Sequence, residues 1–189
     1  MTKFKDTFRI ESARLGEWDY SNPWWYYVTI NTKDHVEFFG KVENGKMVFT
    51  ELGKFVEDEW LNTKTIRANV ELDSFVVMPN HFHGIVILNG PEVETHRVRL
   101  KNNVFNNGDA CDASLRTVKN CLSDIVRGFK SAATKRIREN GYPNFSWQAR
   151  FYDRIIRNEK ELLNIRNYIE QNPLKWDLEK NSPQNICDL

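Results

Sequence analysis

The stretch Met78-Pro79-Asn80-His81-Phe82-His83, with the apolar run Gly84-Ile85-Val86-Ile87-Leu88 behind it, most limits what this chain can fold into. Proline and asparagine mark a turn, and the apolar run reads as a strand. Alternate residues of a strand share a face. His81 and His83 then stand side by side, with Phe82 directed into a core on the other face. Two parallel imidazoles make half of a metal site. Taken without context, they are as readily two surface histidines beside a sheet.

A second constellation follows about ninety residues on, at Tyr168-Ile169-Glu170-Gln171-Asn172-Pro173. Residues Asn158 to Asn172 read as an amphipathic helix with an apolar stripe of Leu162, Leu163, Ile165 and Ile169. Pro173 cannot continue a helix, so the end is expected near Asn172. Tyr168 and Asn172 are four apart and neighbours on one helix face. A phenol one turn from a side-chain amide can serve as a nucleophile beside a metal ligand. Alone, the pair is equally a half-buried tyrosine and an asparagine cap. Gln171, three residues from Tyr168, is an alternative ligand to Asn172. Tyr152 and Tyr142 lack a following amide or carboxylate in a clear helix and read as core or DNA-contacting residues, and Tyr26 and Tyr27 as packing residues on a first strand. Asp73 and Asp153 read as ion-pair or cap residues before metal ligands. His35 and His96 stand near no motif and read as surface residues.

The remaining chain divides coarsely. Residues 1–22 are a polar arm, 23–178 a single domain and 179–189 a tail. Strands are expected at Trp25 to Asn31, Val36 to Val42 and Lys46 to Thr50, the last two joined by the hairpin signal Asn44-Gly45. A short helix follows over Gly53 to Thr63. Val70 to Met78 and His83 to Leu88 form two more strands. Glu92 to Ala113 is polar and aperiodic, a loop. Leu115 to Asn140 is a long helix, and a strand containing Trp147 runs to Ile156. Strands and helices mix without βαβ alternation, which gives an α+β sandwich with a mainly antiparallel sheet and helices on one face.

A chain of 189 residues, 40% of them hydrophobic, can bury a core unaided. Its longest apolar run is far too short for a membrane span, and its start lacks the apolar centre of a signal peptide. Cys111, Cys121 and Cys187 match neither a zinc knuckle nor a disulfide framework, and the odd count points to the cytoplasm. The net charge of +1 conceals a division: residues 116–157 hold 10 Lys and Arg against 3 Asp and Glu. Arg127, Lys130, Lys135, Arg136 and Arg138 lie on the long helix, and Arg150, Arg154 and Arg157 follow. Such a stripe suits phosphate contacts and salt-sensitive nucleic-acid binding, although a solvated helix face has the same pattern. Some of the six tryptophans are candidates for stacking on bases.

The ordered set Met78-Pro79-Asn80-His81-Phe82-His83, Phe129-Lys130-Ser131, Trp147-Gln148, Phe151-Tyr152-Asp153-Arg154-Ile155-Ile156-Arg157 and Tyr168-Ile169-x-x-Asn172-Pro173 resembles the REP-associated tyrosine transposases. These are single-tyrosine members of the HUH (His, hydrophobic, His) nucleases. The resemblance covers roughly Tyr26 to Trp176. It implies a ferredoxin-like sheet with the histidines on a central strand and helices packed on it. It implies His81, His83 and Asn172 as metal ligands, magnesium or manganese as the cofactor, and Tyr168 as the nucleophile. The DNA contacts are expected at Arg127, Lys130, Lys135, Arg136, Arg150, Arg154 and Arg157. The implied substrate is single-stranded or hairpin DNA, with no small molecule and no membrane involved. The implied products are a 5′-phosphotyrosine and a free 3′-hydroxyl, made by a monomer or a homodimer. The alternative is a hairpin-binding regulator that no longer cuts. A zinc hydrolase is disfavoured because no nearby Glu or Cys completes a usual ligand set.

Overall fold

The computed structural model describes residues 3–4, 7–8, 15, 17–90 and 121–181. His96, Cys111, Cys187, the expected loop from Glu92 to Ala113 and the first turns of the expected long helix lie outside them. Two short strands, β1 (Lys3–Phe4) and β2 (Thr7–Phe8), pair with each other. The central sheet has four strands, β3 (Trp25–Asn31), β6 (Val70–Val77), β7 (His81–Leu88) and β8 (Tyr152–Ile155), in the order β6-β7-β3-β8. Every neighbouring pair is antiparallel. A separate hairpin joins β4 (Gly40–Glu43) to β5 (Lys46–Phe49). The helices are α1 (Glu51–Ile66), α2 (Leu122–Glu139) and α3 (Glu159–Asn181). The fold is thus α+β, as expected.

Strand β7 carries buried apolar residues on both faces. Phe82 and Val86 enter a core with Val28 and Ile30 of β3, Trp60 of α1 and Phe129 of α2. Ile85 enters a second core with Ile156 and with Leu162, Ile165 and Ile169 of α3. The helices therefore sandwich the sheet, two on one face and one on the other. The expectation of helices on a single face is corrected here. Period-two alternation shows that a strand has two faces but not that both are buried, which β7 reveals only as an unbroken apolar run. Gly84 allows the first packing: a Cβ there would lie 2.7 Å from Trp60.

Other boundaries move for local reasons. Thr50 caps α1, its Oγ1 accepting from the Gly53 amide at 3.2 Å, so the helix begins before Gly53. At the Asn44-Gly45 turn both residues have positive φ, 53° and 68°, the geometry of a two-residue hairpin. The strand expected over Val36 to Val42 begins only at Gly40, because a 3-10 turn at Lys33–His35 occupies the chain before it. Trp147 makes a lone bridge to Thr32 and is not part of β8. Pro173 does not end α3, which runs on to Asn181. Proline has no N–H to give the Ile169 carbonyl. Packing beyond it outweighs that loss, because Asp177 accepts a 2.8 Å hydrogen bond from the Gly45 amide and Leu174 touches the same turn.

Candidate active site

The site forms where α3 crosses the His face of β7. Strand β6 turns into β7 through a bond from the Met78 amide to the His81 carbonyl at 2.8 Å. Asn80, buried at the turn, donates from Nδ2 to the His35 carbonyl at 3.0 Å. Its Oδ1 lies 2.7 Å from His81 Nδ1. Since that oxygen can only accept, His81 donates this bond from Nδ1. The exposed His35 at this rim also acts electrostatically on His81.

His83 is held from the neighbouring strand. Register pairs Thr29 with His83 and Tyr27 with Ile85, so Tyr27 and Thr29 share the His face. Tyr27 Oη lies 2.7 Å and Thr29 Oγ1 2.9 Å from His83 Nδ1. The Tyr27 ring stacks on the imidazole at 5.6 Å. The other ring nitrogen, Nε2, is buried and has no hydrogen-bond partner. Burial pushes the His81 imidazole down to about 4 against a contribution from its hydrogen bond to Asn172, which raises it. Burial, with His81 beside it, pushes His83 down to about 3. Both rings are neutral at pH 7, the form that binds metal. Burial pushes the Tyr27 phenol up to about 12, against a hydrogen bond with Thr29 that lowers it. Tyr27 thus keeps its proton.

The helix supplies the rest. The ring of Tyr168 lies 5.3 Å from that of His83, edge-on, and the residue is 41% exposed. Asn172, 6% exposed, hydrogen-bonds His81. The His81 and His83 rings are 4.7 Å apart between centroids, and Trp176 covers His81 at 5.6 Å. Lys175 Nζ stands 5.6 Å from the Tyr168 ring centroid. Gln171 is exposed on another side of the helix from the buried Asn172. Among the described residues no three His, Cys, Asp or Glu side chains converge on one point. A metal here would have two imidazoles and an amide to hold it. That donor set and the orphaned His83 nitrogen fit a divalent ion with open positions.

Neither carboxylate considered as an extra ligand joins the histidines. Asp73 takes the Arg166 guanidinium at 2.9 Å, which holds its carboxyl below the usual range. Asp153 pairs with Val28 and shares its face, away from the histidines.

The basic residues divide. Arg127, Lys130, Lys135 and Arg138 line a groove of about 810 Å³ between α2 and residues 146–151. Because α2 packs on the Phe82 face, this groove lies across the sheet from the His face. Lys130 is half buried, its Nζ donating to the Gln148 carbonyl at 2.6 Å, and burial lowers its pKa. Arg136 turns instead to Asp58 and Glu59 of α1 and lies over the Phe55 ring. On the other side of the sheet, Arg154 pairs with Glu161 and Arg157 stands at the start of α3. Arg150 is exposed beside the groove segment. Sequence reasoning placed Tyr27 among packing residues and passed over Thr29, Lys175 and Trp176. The first two are visible only through strand register, and the last two lie past the proline taken for a stop.

No protein-family model matches the chain. An uncharacterized protein of Haemophilus influenzae (strain ATCC 51907 / DSM 11121 / KW20 / Rd) is 33% identical over 166 residues, 88% of this chain and 89% of that one. Among solved structures, a REP-associated tyrosine transposase bound to a REP hairpin aligns at a TM-score of 0.54 and 21% identity, over 88% of this chain and 74% of that one. The chain belongs to the family of the Haemophilus protein and has the fold of a REP-associated tyrosine transposase. Within that transposase fold, the histidine strand is central and the tyrosine helix crosses it. Among the described residues no helix is long and apolar enough to cross a membrane.

Proposed function

We infer that this chain is a metal-dependent endonuclease and strand transferase acting on single-stranded DNA at a hairpin or repeat, through a covalent phosphotyrosine. The observation that carries this reading is the buried, unpartnered Nε2 of His83, set beside a neutral His81, with Tyr168 and Asn172 brought to the pair from one helix. His81, His83 and Asn172 would hold magnesium or manganese. When bound, the ion polarises the scissile phosphate and neutralises charge developing on its oxygens.

The chain's own groups do the rest. Tyr168 brings its phenol oxygen to phosphorus, a bond from that oxygen to phosphorus forms, and the bond from phosphorus to the leaving 3′ oxygen breaks. The phenol proton is lost and the 3′ oxygen takes one up, so charge balances. The phosphotyrosine keeps the bond energy, and a second 3′-hydroxyl can reverse the step without ATP. Lys175 gives positive charge beside the nucleophile. The cationic groove along α2 suits the backbone of a folded hairpin, while the His face takes an unpaired strand.

The test is a denaturing gel of protein mixed with labelled single-stranded hairpins and magnesium or manganese. A covalent adduct is expected with the unaltered chain and none with Tyr168→Phe. Tight hairpin binding with no adduct, across a library covering the target, would replace this reading with a non-cutting regulator.

A further inference from the structure

We propose that the β8 side of the His face is a nucleotide subsite, in which the unpaired base next to the cleaved phosphate stacks on Tyr152 and has its edge read by the side-chain amides of Asn31 and Gln148. The proposal rests on the single-strand reading above. Register sets these groups beside the histidines. Asn31 is opposite His81, and Thr29 is opposite His83 on one side and Tyr152 on the other. Opposed residues share a face, so Asn31 and Tyr152 stand on the His face, level with the two imidazoles. From His83 to Tyr152 is two strand spacings, about 10 Å, with Thr29 between them. A nucleotide adjoining the one at the histidines is within that reach.

The chemistry of the three side chains suits a base. Helix α3 turns Arg166 to Asp73 on the opposite edge strand, β6, and Tyr152 on β8 is left 61% exposed. Beside it, Asn31 Nδ2 donates to Gln148 Oε1 at 3.1 Å. That bond leaves the Asn31 carbonyl oxygen to accept and the Gln148 amide nitrogen to donate. Exchanging the two roles leaves the same complement of one acceptor and one donor. An unpaired base offers a matching donor and acceptor on its Watson–Crick edge and a flat face to the phenol ring. A phosphate offers acceptors alone and an aliphatic ligand neither.

The same segment borders the cationic groove of α2. Gln148 lines that groove, and Lys130 Nζ donates to its carbonyl at 2.6 Å. Its amide donates to the Asn31 carbonyl at 2.9 Å. Gln148 thus meets the groove through its main chain and the His face through its side chain. A hairpin held along α2 can send an unpaired flank over this edge, past the exposed Arg150, to the histidines.

The experiment is fluorescence anisotropy of labelled hairpins, with and without a single-stranded flank, in chelator so that no bond is broken. The flank should strengthen binding to the unaltered chain. Tyr152→Ala should bind the flanked hairpin about tenfold more weakly and the blunt one equally well, whereas Tyr152→Phe, which keeps a ring, should retain most of the affinity. Flanks of adenine, cytosine and thymine should bind the unaltered chain unequally, and Gln148→Ala should level them. Equal affinity of Tyr152→Ala and the unaltered chain for the flanked hairpin overturns the stacking role, as does a loss of the same size on the blunt hairpin. A base ranking that survives Gln148→Ala overturns the amide reading. If the Tyr168-dependent adduct forms while Tyr152→Ala and Gln148→Ala have no effect, the subsite is wrong and the cleavage reading stands. If the flank's contribution depends on Tyr152 while no adduct forms, the subsite stands without cleavage. If a flank adds no affinity to the unaltered chain, the subsite falls.

Discussion

At the scale of single residues, the site depends on side chains that touch no substrate. Tyr27 and Thr29 both reach Nδ1 of His83 and so orient Nε2, the nitrogen proposed to hold the metal. Tyr27→Phe is expected to weaken divalent-metal affinity about 10–100-fold, the usual effect of losing an outer hydrogen bond to a ligating histidine. Calorimetric titration with manganese measures this, and an unchanged affinity would remove Tyr27 from the site. The two histidines also give the metal-free protein a pH dependence. Their folded pKa values, about 4 and about 3, lie below the ordinary 6.5. Between these limits the unfolded chain binds protons that the folded chain refuses, so stability rises with pH. Their contribution is fully favourable above about 6.5 and declines as pH falls towards 4. Urea midpoints of chelator-treated protein should fall from pH 7 to pH 5, and His83→Gln should flatten that fall.

Elements bring these residues together, and here the sequence was legible unevenly. The histidine strand, the Asn44-Gly45 turn and the start of the tyrosine helix were readable because each follows local rules of alternation, turn chemistry and periodicity. The far end of α3 was not, because its continuation past Pro173 depends on the β4–β5 hairpin, a contact between distant parts of the chain. Strand register was equally hidden, and with it the placement of Tyr27 and Thr29. Nor does composition say which helix covers which face. Packing at this scale is tight: Gly84→Ala should destabilise the fold by about 1–3 kcal/mol through overpacking against Trp60. Chemical denaturation checks this, and Trp60→Phe added to the variant should restore part of the loss.

For the whole molecule, the proposed function assigns the two faces of the sheet different tasks. The α2 groove lies across the sheet from the histidines, so its cations can hold DNA without entering the chemistry. Hairpin affinity should fall steeply with salt, and removing Arg127 and Lys135 together should reduce the slope of log K against log salt by about 2 if each meets one phosphate. Adduct formation at saturating DNA should persist in that variant. A slope that does not change would assign the hairpin to another surface. The sheet between these surfaces has two open edges, and each is blunted. On β8 the edge is only four residues long and carries Asp153 and Arg154. On β6 a register shift between Leu72 and Phe75 interrupts the ladder beside Asp73, which is tied to Arg166. Neither edge presents the long, flat row of unpaired amides and carbonyls on which a further strand can grow. Among the described residues, a chain with this much β-structure and this many aromatic residues is thereby guarded against edge-to-edge aggregation.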